Sequence, residues 1–230
     1  SQHETPTGFT TDNGSSSSSA SSATAIAVGN YHSCALLDNA SVKCWGRNNY
    51  GQLGIDNNTD MGKTSGSMAV LPSIDLGTGR TATAIAAGGY HTCAILDNAS
   101  VKCWGNNRNG QLGTDNNTDM GDNSSEMALL TGINLGTGRT ATAISAGEYH
   151  SCAILDNASV KCWGYNSGGQ LGTDNNTDMG DNSSEMALLP SINLGTGRTA
   201  TATATGEYHS CALLDNASVK CWGNNNMGQL

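Results

Sequence analysis

The residues with the clearest chemical potential are oxygen donors at the spacing of a calcium loop. Asp115, Asn117, Asp119, Asn123 and Glu126 occupy positions 1, 3, 5, 9 and 12 of a twelve-residue run. Asp174, Asn176, Asp178, Asn182 and Glu185 repeat the pattern. A hard divalent cation takes about six to eight oxygens, several of them charged, from a loop that can wrap it. The spacing therefore makes these ten residues candidate calcium ligands. A second reading stays open, because Gly121 and Gly180 fall at position 7, where a helix–loop–helix calcium loop has its glycine at 6. That reading is a solvated, turn-rich loop, since Asn, Asp and Gly favour turns on their own account. An earlier segment keeps Asp56, Asn58 and Asp60 but continues with Lys63 and lacks the terminal Glu. Calcium, if it binds, should prefer the two later loops.

Other residue patterns carry less chemistry. Asn39, Asn98, Asn157 and Asn216 each open an Asn-Ala-Ser sequon, and further sequons start at Asn13, Asn57, Asn116, Asn123, Asn175 and Asn182. Dense acceptors in loop-forming sequence point to N-glycosylation in a secreted protein; a chain rich in Asn, Ser and Thr also makes sequons by composition alone. His32, His91, His150 and His209 each stand two residues before a Cys. The following Cys is ten residues on, which is not the tight knuckle of a zinc site, so a buried, hydrogen-bonded His is the better reading. Gly-Thr-Gly-Arg-Thr (77–81, 136–140, 195–199) lacks the Lys-Ser/Thr of a phosphate loop and reads as a turn. No nucleophile elbow or nucleophile–base arrangement is identifiable, and nothing in the sequence supports an enzyme.

What positions these residues is a repeat. The four histidines above are spaced by 59 residues, as are Trp45, Trp104, Trp163 and Trp222, and Gln52, Gln111, Gln170 and Gln229. Residues 83–141 and 142–200 differ at eight aligned positions, which indicates recent duplication. The units run 24–82, 83–141, 142–200 and a partial 201–230, preceded by a Ser-rich segment over 1–23 that reads as a flexible tail or linker. Within a unit, short apolar runs bounded by Gly, Asn and Asp read as strands, and no helical period is sustained. Thr-Ala-Thr-Ala-Ile, Cys-Ala-Ile-Leu, Val-Lys-Cys-Trp and the Met-Ala-Leu-Leu to Ile-Asn-Leu-Gly stretch give about four short strands, the content of one propeller blade. The fold class is all-β, a β-propeller of four-stranded blades, about three and a half of them here.

The middle hairpin fixes the cysteines. A three-residue loop of Asp38, Asn39 and Ala40 closes on Leu37 opposite Ser41, placing 36 opposite 42 and 34 opposite 44. If the closing pair is hydrogen-bonded, alternation makes 34/44 a non-hydrogen-bonded pair, with Cα atoms ~4.5 Å apart, near the lower end of the disulfide range. The repeat then selects Cys34–Cys44, Cys93–Cys103, Cys152–Cys162 and Cys211–Cys221 from roughly a hundred pairings. The alternative is eight free thiols in a reducing compartment.

Composition narrows the function classes. Lys and Arg number 10 against 19 Asp and Glu, so the net charge is 10 − 19 = −9, and no basic face is in evidence for nucleic acid. No apolar run reaches the ~18 residues of a membrane span. Only 13% of residues are charged, too few for a charge-rich disordered chain or a coiled coil.

The string Ala-Gly-Xaa-Tyr-His-Ser-Cys-Ala, with Val-Lys-Cys-Trp-Gly and Gly-Gln-Leu-Gly after it, resembles the repeat of the regulator of chromosome condensation family from Thr24 to Leu230. The resemblance implies a β-propeller, commonly of seven blades, and it does not by itself imply nucleotide exchange. The Cys-paired form is similar to the family's secreted and surface members, which bind other proteins. Ala40, Ala99, Ala158 and Ala217 depart from the pattern, standing where a left-handed Gly is expected. The sequence is thus read as an extracellular or cell-surface protein-interaction or structural module, with a surface assembly or filament as one version. Its partner would be a protein, or a second copy joined through open sheet edges. The alternatives are a calcium-dependent glycan-binding propeller and an intracellular exchange-factor-like propeller.

Overall fold

The computed structural model describes residues 21–230. Most of the Ser-rich segment expected over 1–23 lies outside them. The first strand, β1 (Ala23–Val28), is followed by β2 (His32–Leu37) and β3 (Val42–Gly46). The pattern recurs as β4 (Ala82–Ala87), β5 (His91–Leu96) and β6 (Val101–Gly105), then β7 (Ala141–Ala146), β8 (His150–Leu155) and β9 (Val160–Gly164). It ends with β10 (Ala200–Thr205), β11 (His209–Leu214) and β12 (Val219–Gly223). Each trio is one antiparallel sheet in chain order.

The local sequence explains each trio. Small alternating Ala and Thr suit the first strand. Thr24 is the extra residue where Ala23 faces Leu37 and Ala25 faces Leu36, a bulge in which its hydroxyl donates to the Leu36 carbonyl at 3.2 Å. The hairpin closes as its symmetry requires. Leu37 N–H donates to Ser41, Ala40 N–H donates to Leu37, and Cys34 faces Cys44. Ala40, Ala99, Ala158 and Ala217 all take left-handed φ of 60–64° there. The paired Cys have Cα atoms 4.0–4.1 Å apart, and all four disulfides form.

The four-stranded blade needs correction. Each sheet has three strands. The Met-Ala-Leu-Leu segment forms a single helical turn, Glu126–Leu129 and Glu185–Leu188, with a 3-10 turn at Ser67–Val70 in the first copy. The stretch after it lies where a fourth strand would, with Leu71, Ile74 and Leu76 buried. It meets β3 through Ile74 N–H to the Val42 carbonyl and returns at Ala82 N–H to Ala40. One ladder bond does not make a strand, and Pro72 and Pro190 have no N–H to add another.

The core lies between sheets. Cys34, Leu36, Val42 and Cys44 of the first sheet pack against Ala82, Ala94, Leu96 and Trp104 of the second. Met127 of the second unit's helical turn, and Leu130 just after it, fill the same layer. Two further layers repeat this, so each disulfide is part of the apolar packing. The fourth sheet also leaves a blade face uncovered. Leu213 and Val219 are 40% and 66% exposed, against 4% and 0% for their counterparts Ile154 and Val160.

Candidate interaction surface

The repeat's landmark residues build the joint between blades. Thr92 donates its hydroxyl proton to the Gln52 carbonyl at 2.9 Å, and Trp104 Nε1 donates to the same oxygen at 3.2 Å. His32 Nε2 lies 2.8 Å from the Thr92 oxygen. Because that hydroxyl proton is already given away, the imidazole must be the donor. Ser151 and Trp163 on Gln111, with His91, form the second joint; Ser210 and Trp222 on Gln170, with His150, form the third. Burial holds His91 at about 3 and His32 and His150 at about 4, well below the ordinary imidazole value. The glycine before each Tyr-His pair is steric in origin. A Cβ on Gly147 would sit 2.5 Å from both the Gly206 carbonyl oxygen and His150 Cε1. The histidines are thus structural, and the cysteines beside them are in disulfides rather than on a metal.

The acidic loops close on themselves. Glu126 Oε2 accepts the N–H groups of Gly121, Asp122 and Asn123 at 2.8–3.1 Å, and Glu185 does the same for Gly180, Asp181 and Asn182. Asn123 and Asn182 donate side-chain N–H groups to those carboxylates. Burial alone would raise Glu126, but the N–H groups of Asn123 and Gly121 and the adjoining side chains together hold it below the usual carboxylate value. Asp119 and Asp178 accept from Asn107 and Asn166. Asp115 accepts from Met186 N–H of the following unit at 2.8 Å, and Asp56 from Met127 at 2.9 Å. Asp174, Asn117 and Asn176 stay at the surface. Among the described residues no group of three or more His, Cys, Asp or Glu side chains is placed to hold a metal ion. In the first copy Ser67 stands in for the missing Glu, its hydroxyl accepting from Gly62 N–H, while Lys63 pairs with Asp60. The sequon residues Asn39, Asn98, Asn157 and Asn216 sit exposed at the hairpin tips, each oxygen accepting from the Ser two residues on.

The feature that sequence reading missed is a tyrosine rim. The β1–β2 turn and its counterparts carry Tyr31, Tyr90, Tyr149 and Tyr208, whose ring centroids follow one another at 5.7, 6.2 and 6.2 Å. Tyr50 meets Tyr90 edge-on, and Tyr165 meets Tyr149 and Tyr208. Arg47 lies over the Tyr31 ring at 5.5 Å and Arg108 over Tyr50 at 5.6 Å. Glu148, against Gly89 of the second unit, and Glu207 follow along the rim. Burial first, then the adjacent Glu148 carboxylate, pushes the Tyr149 phenol far up; burial and Glu207 raise Tyr208. The sequence did carry a signal for this rim. Of the eight positions at which 83–141 and 142–200 differ, four surround these rings: Gly89/Glu148, Asn106/Tyr165, Arg108/Ser167 and Asn109/Gly168.

Known proteins share this architecture. A model of the regulator of chromosome condensation (RCC1) repeat matches residues 23–52, 82–111, 141–170 and 200–229, and a second model of that repeat matches 41–95 and 100–154. Human "Probable E3 ubiquitin-protein ligase HERC4" is 30% identical over 206 residues, covering 89% of this chain and 18% of that protein. The mitochondrial RCC1 domain-containing protein RUG3 of Arabidopsis thaliana is 29% identical over 208 residues, 89% of this chain and 43% of that protein. The chain thus spans less than half the length of these relatives. Among solved structures, yeast RCC1 (Prp20) bound to Kap60 is similar at a TM-score of 0.66 and 22% identity, covering 89% of this chain and 44% of that one. Human WBSCR16 is similar at 0.70 and 19%, covering 89% and 49%. The structural likenesses show the fold, and the repeat match falls on every joint described above: the chain belongs to the regulator of chromosome condensation (RCC1) repeat family.

Proposed function

We propose that this chain is a non-enzymatic, protein-interaction β-propeller module of an extracellular or cell-surface protein, working in a surface assembly. The tyrosine rim carries the reading. Phenol rings offer large apolar area with a polar tip, the make-up of protein-interface hot spots, and Tyr31 is 55% exposed. The solved yeast relative is bound to another protein, Kap60, which is in keeping with an interaction role. The compartment rests on the disulfides, because such bonds persist in oxidising surroundings and are rare in the cytosol. They weigh against the intracellular exchange-factor reading. The loop carboxylates, already engaged by N–H groups, weigh against a calcium-dependent glycan site.

Cross-linking capture from the surface of the source cells tests the reading. The chain should retain a defined set of proteins that a Tyr90→Ala, Tyr149→Ala variant of unchanged melting temperature loses. Equal capture by both, or none by either, would overturn it.

A further inference from the structure

The rim's charges are unpaired and sorted by sign. Arg80, Arg139 and Arg198 each pair with an aspartate, Asp97, Asp156 and Asp215, at 3.0–3.4 Å. Arg47 and Arg108 have no carboxylate within ion-pair distance among the described residues; each rests on a tyrosine ring. Glu148 and Glu207 likewise have no cation. Both arginines belong to the first two units and both glutamates to the last two, with Glu148 resting against Gly89 of the second. These four charges sum to zero on a chain whose net charge is −9; Asp119 stands near Arg108, and Asp60 with Lys63 near Arg47. Arg47 and Arg108 thus offer cations, and Glu148 and Glu207 anions, to a second copy.

The repeat supplies an independent observation. Residues 114–130 and 173–189 are identical, although most of each segment is a surface loop, and the hairpin tips 97–100 and 156–159 are identical too. Exposure alone does not account for where the copies diverge. Of the eight differences, those that alter charge or aromatic character fall on the rim.

Reversal of the blade order pairs first with fourth and second with third. That operation is a two-fold axis, and a two-fold interface must be self-complementary. It sets Arg47 against Glu207 and Arg108 against Glu148, with tyrosines facing tyrosines between them. We propose that the rim docks a second copy of this chain across such an axis, Arg47 and Arg108 of each copy meeting Glu148 and Glu207 of the other. This rests on the protein-interaction reading above and names the partner.

Sedimentation of the chain and two double variants tests it. The chain should form a dimer at low salt that dissociates as salt rises, since the pairs lie at a solvated surface. Arg47→Glu with Arg108→Glu, and separately Glu148→Arg with Glu207→Arg, should each weaken self-association by about tenfold or more. An equimolar mixture of the two variants should recover the dimer, which also shows that both are folded. A chain monomeric at every concentration and salt, or variants that dimerise as the parent does, would overturn the proposal. Rim-dependent capture of an unrelated protein by a monomeric chain would overturn it too, while leaving the interaction reading intact.

Discussion

His91 gives its Nε2 proton to Ser151, and its Nδ1 is buried without a partner. Protonation there would place a charge inside an interblade layer, so the folded state keeps His32, His91 and His150 neutral far below the ordinary imidazole pKa of 6.5. The sign follows. In the unfolded chain these histidines bind protons from about pH 6.5 downward, whereas the folded chain resists until about pH 4 to 3. Stability is therefore fully present well above pH 6.5 and is lost as pH falls, the slope steepening toward about 1.4 kcal/mol per pH unit for each histidine. Denaturant melts at pH 7, 6 and 5 should show that slope, and His91→Gln should reduce it by one proton's share. A second residue-scale strain is the alanine at the hairpin tip. Ala158 holds φ 60°, which costs an L-residue roughly 1–2 kcal/mol. Ala158→Gly should raise stability by about 0.5–1 kcal/mol after glycine's unfolded-state entropy is set against the gain. A thermal melt measures it, and the sequon survives the change.

The hairpin was legible in sequence because two cysteines ten residues apart about Asn39 admit one symmetrical register, and Cys34 does face Cys44. The fourth strand was not. Four apolar residues suit a strand or a helical turn equally, and the hydrogen bonds of the loop just before them decide, through Glu126 and Glu185 in two copies and Ser67 in the first. Glu126 gathers three successive N–H groups and starts a turn where periodicity alone suggested extension. Backbone donors also meet the residues at the calcium-like spacing: positions 1, 5 and 12 each accept from one. For the disulfides, Cys93→Ala with Cys103→Ala should cost about 2–3 kcal/mol from lost loop constraint, with a cavity cost added because both sulfurs sit in a closed layer. The pair Cys211 and Cys221 is only half-buried, so its removal should cost less. Chemical denaturation of the two double variants ranks them.

Across the whole molecule, stability is a series of local joints, since each layer involves one blade and the next. That explains how a chain with 5% aromatic residues holds a core: one Trp, one His, one hydroxyl and one disulfide serve each joint. The repeat and its landmarks could be read directly from spacing. The tyrosine rim could not, because tyrosines 59 residues apart meet only once the blades stack; its trace was the short set of positions where the copies differ. The disulfide staples carry both the blade packing and the proposed oxidising compartment. The most direct test is thiol titration, with intact mass, of the chain denatured without reductant after purification from its native source. Four closed disulfides should leave no reactive thiol and a polypeptide, freed of any glycan, eight hydrogens lighter than its reduced form, two for each bond. Eight reactive thiols would contradict it.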